Sequence, residues 1–304
     1  MTQPGIPNEF ALSTACYGAR LATMEAQAFA AVAMGFRRLE LGLAESPVPL
    51  SGFEESRRET GIEVGSLVTG CLNPLSEHMA GTKLGSLDSE LRERAVLSCR
   101  RHIQLATRLG CPTVILRGCQ IENDGLVAEG EALAVRLAEE GPEEPLVEEL
   151  NAFVARVQKK GQSQLDHFCR SIHKLRNEFP EMRLAVEPGR SFIDLLNFEA
   201  MEWVLDDQQA LSYWHDTGTV HLRERAGLPG QADWLDRYRE RLVGVHLQDA
   251  ADGVAYMPPG LGEVDFALVV DAMPGEVEKV VEVDPRHGRS EVLASVKFLI
   301  DRGL

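Results

Sequence analysis

Two hydrophobic periods alternate along this chain. Short runs such as Val114-Ile115-Leu116 and Leu184-Ala185-Val186 contain no polar break, which suits strands buried on both faces. The pattern predicts strands at 10–16, 37–41, 62–68, 112–116, 184–186, 211–215, 242–247 and 277–283. Between them lie amphipathic or Ala-rich segments. These predict helices over 24–34, 53–60, 86–110, 164–179, 197–205, 232–241, 265–273 and 290–302. Gly35, Gly61 and Gly110 stand where a helix C-terminus favours glycine, and Asp88 stands where an N-cap carboxylate is favoured. The stretch 124–160 breaks the rhythm. It is rich in Ala, Leu and Glu, with one Gly141-Pro142 break, and reads as two helical pieces extending the fourth unit. Its acidic run, 139–149, reads as a solvated face.

Strands alternating with helices imply parallel pairing and right-handed crossovers. Eight such units close into a (β/α)8 TIM barrel, an α/β fold. An open doubly wound sheet would carry a Gly-rich phosphate loop after an early strand, and no G-x-G-x-x-G or Walker pattern occurs there. No linker splits the chain. The expectation is one domain over 1–304 with a helical insertion at about 124–160.

The chain has 304 residues, 26% of them charged and 44% hydrophobic, enough for a large core. Its formal net charge of -16 argues against nucleic acid as a partner, since phosphate backbones are met by clustered Lys and Arg. No apolar run is long enough to span a bilayer, and the N-terminus has no basic region followed by an apolar signal core. Cys16, Cys71, Cys99, Cys111, Cys119 and Cys169 form no Cys-x-x-Cys pair. They read as small core residues of a cytoplasmic protein.

The candidate chemistry lies in the phase of the polar residues. Glu187, Asp216, His246 and Glu282 each follow an apolar run in a late strand, spaced by about one strand-plus-helix unit. The C-terminal ends of parallel strands are where such folds bind ligands. Neighbouring strands lie about 4.8 Å apart, so four consecutive strand ends can converge on one point. Three carboxylates gathered there repel unless a cation neutralises them. An imidazole with oxygen donors suits one divalent ion, Mn²⁺, Zn²⁺, Mg²⁺ or Co²⁺. Taken singly, each of the four is also explained as a helix cap or a surface ion pair.

Several pieces, in this order, resemble the xylose isomerase-like TIM barrel superfamily of sugar epimerases, inosose dehydratases, hydroxypyruvate isomerases and endonuclease IV. They are Val186-Glu187-Pro188, Asp216-Thr217-Gly218, His246-Leu247-Gln248-Asp249, Pro259-Gly260-x-Gly262-x-x-Asp265 and Val281-Glu282-Val283. The Asp88…Arg92 helix start and Leu109-Gly110 are also similar. The resemblance implies one metal held by Glu187, Asp216, His246 and Glu282. It further implies proton transfer by Glu187 and Glu282 through a metal-bound enediolate. Their pKa values must then separate, one acting as base and one as acid. The expected reaction is isomerisation or epimerisation of a small sugar or hydroxy-ketone, with inosose-type dehydration as the alternative.

The chain also departs from that pattern. Thr219 stands where many relatives carry His, Gln248 where many carry Lys, and 250–255 has no Arg to grip substrate. Arg190, Arg117 and Arg286 are the candidate replacement cations, an ordinary salt bridge being the expected role of each, and His221 is the nearby imidazole. Trp203, Trp214 and Trp234 read as core or helix-packing residues, and Trp214, beside Asp216, is with Asp249 a further candidate substrate contact. Glu40, ending the second strand, either orients a ligand or bonds to the backbone of the first loop, and the second is the expectation. His78, in the third loop, reads as a surface residue.

Three classes follow: a metal-dependent isomerase or lyase acting on a carbohydrate-like small molecule, a DNA-repair endonuclease, and a non-catalytic ligand-binding barrel. The endonuclease would need more strand-end histidines and a basic groove. The lost His and Lys keep the third class in view. A homo-oligomer is compatible with all three.

Overall fold

The computed structural model describes residues 5–73 and 82–304. His78 and the loop around it lie outside the described residues. Eight parallel strands close into a barrel: β1 (Phe10–Ser13), β2 (Arg38–Leu41), β3 (Glu63–Val68), β4 (Thr113–Leu116), β5 (Arg183–Val186), β6 (Ser212–Asp216), β7 (Leu242–Leu247) and β10 (Glu278–Val281). β1 closes the ring by pairing with β10, Ala11 opposite Val280. The predicted strands are present, several of them trimmed by a residue or more at their ends. The two-helix insertion is present as Asp124–Glu140 and Glu144–Lys160. Its run of glutamates is exposed, with Arg136 donating to Glu149 at 2.7 Å.

Two features escape the hydrophobic pattern. A helix, Thr217–Arg225, begins directly at the end of β6, and an antiparallel hairpin, β8 (Asp249–Ala251) and β9 (Val254–Met257), follows β7. The helix is too polar, and the two strands are too short, to give a period.

The side chains of each strand alternate between two cores. Phe10, Leu12, Val114, Leu116, Leu184 and Val186 pack outward against the helices. Ala11, Val68, Ile115, Ala185, Trp214 and Val280 form a separate buried cluster within the ring. Most of these are small, and Trp214 supplies the bulk. Gly244, its partner across β6 and β7, leaves it room: a Cβ at 244 would lie 2.2 Å from the Trp214 ring. The inner core thus floors the C-terminal mouth of the barrel.

Candidate metal and proton-transfer site

Above Trp214 the inward positions turn polar. His246 lies with its ring 5.3 Å from the Trp214 ring. Glu40, Glu187, Asp216 and Glu282 surround it, and all five side chains are essentially inaccessible to solvent. The four residues picked out by phase therefore meet. His246 Nδ1 is 3.4 Å from Glu187 Oε2 and 3.8 Å from Glu282 Oε2. Glu187, Asp216 and His246 each bring one donor atom within 4.8 Å of the others, as do Glu40, His246 and Glu282.

The other ring nitrogen is already engaged. His246 Nε2 lies 2.9 Å from Glu40 Oε2, which also accepts from the Ser66 hydroxyl at 3.0 Å. Glu40 thus serves His246, and not the backbone of the first loop, where Gly42 N–H donates instead to Thr14 at 3.0 Å. This corrects the expectation of a backbone bond; the arrangement is that of the other reading, in which Glu40 orients a ligand. Ser66 supports the site without having been singled out in the sequence; its signal there is a lone hydroxyl in an otherwise apolar run.

Asp216 has two duties. One oxygen caps the helix Thr217–Arg225 by accepting from Thr219 N–H at 2.8 Å. The other accepts from the Gln248 side-chain amide at 3.1 Å, and the same amide donates to Glu282 at 3.2 Å. Gln248 Oε1 accepts from Tyr256 N–H at 2.8 Å, which fixes the amide's orientation. The residue that departs from the family pattern is thus a neutral double donor between two carboxylates. Gly218 makes space for it, since a Cβ there would meet Gln248 Oε1 at 2.7 Å.

Two guanidiniums border the cluster. Arg117 Nε is 3.3 Å from Glu187 Oε1; Arg190 is 3.5 Å from the same oxygen and 4.0 Å from Asp216. Arg190 also lies over the Tyr256 ring, 5.2 Å from its centroid. Tyr256 holds φ at 61°, a strained value for a bulky residue. Nothing in the sequence marks it.

Burial pushes the carboxyls of Glu187, Asp216 and Glu282 upward, but their neighbours differ. For Glu187 burial is outweighed by Arg190, His246 and Arg117, which hold it well below the ordinary range. For Glu282 burial, opposed by His246 and Arg190 but aided by Glu40 and Asp216, leaves the carboxyl raised. Asp216 is likewise raised, burial being the main cause. The two glutamates are therefore pushed in opposite directions.

Other predicted contacts fall elsewhere. Trp214 is fully buried beneath His246 and cannot touch a ligand at the mouth. Asp249 is used entirely by backbone: it accepts from Ala250, Gly260, Gly262 and Val264 N–H at 2.8–2.9 Å. It pins the Pro-Gly turn and leaves nothing for substrate. His221 faces Glu263 at 3.8 Å, alongside Arg225. Arg286 is exposed and pairs with Asp284 at 2.8 Å.

The donor set fits a divalent ion. Glu187 Oε1 and Oε2, His246 Nδ1 and Glu40 Oε1 are sealed from solvent without a hydrogen bond. A carboxylate on one imidazole nitrogen, with the other nitrogen facing acidic groups, is the usual arrangement of a metal-ligating histidine.

The chain belongs to the xylose isomerase-like TIM barrel family, whose model matches residues 28–301. Comparison with curated proteins found no match. Among solved structures, it is similar to a 3-keto-D-glucoside 4-epimerase from E. coli at 14% identity and a TM-score of 0.64, covering 97% of this chain and 100% of that one. Endonuclease IV from Thermus thermophilus is 18% identical, with a TM-score of 0.56, 97% of this chain and 98% of that one being covered. The IOLI protein with a bound zinc atom is 9% identical, with a TM-score of 0.58 over 96% of this chain and 95% of that one. At these identities the likeness concerns the fold. Among the described residues, no helix is long and apolar enough to cross a membrane.

Proposed function

We propose that this protein is a divalent-metal-dependent isomerase or epimerase of a small sugar or related hydroxy-carbonyl compound. The observation that carries the reading is His246, with Nε2 committed to Glu40 and Nδ1 turned toward Glu187 and Glu282. Glu187, Asp216, His246 and Glu282 would hold the ion. When bound, it would polarise a chelated carbonyl and acidify the adjacent C–H. Glu187, kept ionised by Arg190, His246 and Arg117, is the base. Glu282, whose carboxyl is raised by burial, returns the proton. Arg190 and Arg117 orient the substrate's oxygens, the part that an Arg after the seventh strand would otherwise play. An epimerase acting on a keto-glucoside and a zinc-binding protein are among the structural neighbours, which supports this class over a non-catalytic barrel.

The test combines metal analysis with proton exchange. The purified protein should bind one equivalent of Mn²⁺ or Zn²⁺ and should move deuterium from solvent onto a carbon beside the carbonyl of a keto sugar. Glu187→Gln should abolish the exchange, and the Glu187→Gln, Glu282→Gln double variant should lose the metal. A wild-type protein that binds no divalent ion sinks the proposal. A dehydrated product would reassign the same site to a lyase.

A further inference from the structure

The mouth of the barrel carries two cavities of contrasting chemistry, and Arg190 lines both. The smaller, about 110 Å³, is bounded by Arg117, Gln120, Glu187 and Arg190. It offers charge and hydrogen bonds at the proton-transfer carboxylate. The larger, about 410 Å³, is walled by Ala134, Leu137, Phe192, Ile193 and Leu222. Of the charged groups that line it, two arginines are already committed, and Glu131, Asp252 and Arg190 complete the charged lining. Arg223 donates to the carbonyls of Gly189 and Ser191 at 2.9 and 3.1 Å, and Arg225 to Glu263 at 2.8 Å. What the larger cavity presents to a ligand is mainly hydrocarbon.

Its outer wall is the inserted helix Asp124–Glu140, and that wall is fastened to the site. The segment after β4 is stitched to the segment after β5 by Ile121 N–H to Ile193 C=O and Leu195 N–H to Cys119 C=O, both 2.9 Å, and by a bridge between Gln120 and Asp194. Gly130 lets the helix approach closely: a Cβ there would meet Ile193 at 2.5 Å. The apolar cavity is thus preformed at a fixed distance from Glu187. A preformed pocket lined by hydrocarbon binds apolar groups and gains nothing from hydroxyls, which would forfeit water there.

A free sugar, polar all round, has a use for the small cavity and none for the large one. We infer that the substrate is a glycoside, a keto sugar carrying an alkyl or aryl aglycone. The sugar takes the polar cavity at Glu187 and the aglycone takes the apolar cavity behind Arg190. This rests on the proposed isomerase reading and adds the substrate class.

The experiment measures binding by calorimetry, for pairs of methyl and phenyl glycosides of several hexoses and their keto derivatives. The probes are wild type, Ala134→Trp, which fills the cavity from a solvent-facing helix position, and Leu137→Gln as a second variant. At least one phenyl glycoside should bind tenfold or more tighter than its methyl partner. Both variants should bring that ratio close to one. Equal affinities across every pair, no binding by any phenyl glycoside, or a ratio untouched by both variants would overturn the inference. Failure of the isomerase reading looks different: no deuterium uptake into any sugar while the phenyl preference persists.

Discussion

Glu40 and His246 stand 206 residues apart in the chain and 2.9 Å apart in the barrel. That bond selects which imidazole nitrogen is free, because the nitrogen facing the carboxylate keeps its proton. Glu40→Gln substitutes a neutral amide for a charged acceptor. Affinity for Mn²⁺ or Zn²⁺, read by calorimetry, should weaken by about 10- to 100-fold. The circular dichroism should stay that of the wild type. A loss smaller than about threefold would show that Glu40 does not tune this histidine.

Asp249 holds the N–H of its neighbour Ala250 and three backbone N–H groups of the turn after β9, those of Gly260, Gly262 and Val264. Hydrogen bonds to a buried charge are worth about 1.5–3 kcal/mol each before coupling among them is counted. Asp249→Ala should therefore lower the unfolding free energy in urea by about 3 kcal/mol, and open residues 258–264 to limited proteolysis. Unchanged stability would return Asp249 to the pool of residues available for substrate.

Glu278 lies at the opposite, N-terminal end of the barrel, where Gly65 leaves space for it: a Cβ at 65 would fall 1.8 Å from its Oε1. Burial, and then the charge of Glu40, raise its pKa from 4.5 to about 7. The folded chain therefore keeps a proton that the unfolded chain has released. Its stabilising contribution is full below pH 4.5, falls as pH rises through 7, and is lost above. Glu278→Gln should gain about 2 kcal/mol over wild type at pH 8 relative to the difference at pH 4.5, less than the whole shift implies because some solvent contact remains. Chemical denaturation at the two pH values reads it, and a pH-independent difference would refute it.

Gly244→Ala sets a methyl against the Trp214 ring, 2.2 Å from its nearest carbon. Overpacking of this kind costs about 1–3 kcal/mol. Since Trp214 floors the site beneath His246, its displacement should also weaken metal binding. A thermal melt and a metal titration on one preparation check both. A variant with wild-type melting would mean that the inner core yields more easily than its packing suggests.

Much of the fold is legible in the sequence because its elements obey local rules. Helix Met24–Met34 ends at Gly35 in the left-handed conformation, and Asp88 caps Ser89–Leu109 by accepting from Glu90 N–H at 2.8 Å. Such signals act within a few residues. The helix Thr217–Arg225 is hidden because Asp216 looks like a strand-end ligand and is a helix cap as well. Asp249 misleads for a related reason. Nearness to a motif says nothing about which side of the sheet, or which turn, a side chain serves.

By itself, the sequence determined the eight repeating units, the two-helix insertion, and the phase that carries Glu187, Asp216, His246 and Glu282 to one end of the barrel. Those follow from side-chain alternation and from the length of a strand-plus-helix unit, both local properties. The tertiary structure alone decided that Glu40 would orient His246, that Gln248 would bridge two carboxylates, and that Arg190 would stand between a polar and an apolar cavity. Each of these joins segments whose separation in space depends on ring closure, and no local period encodes that distance.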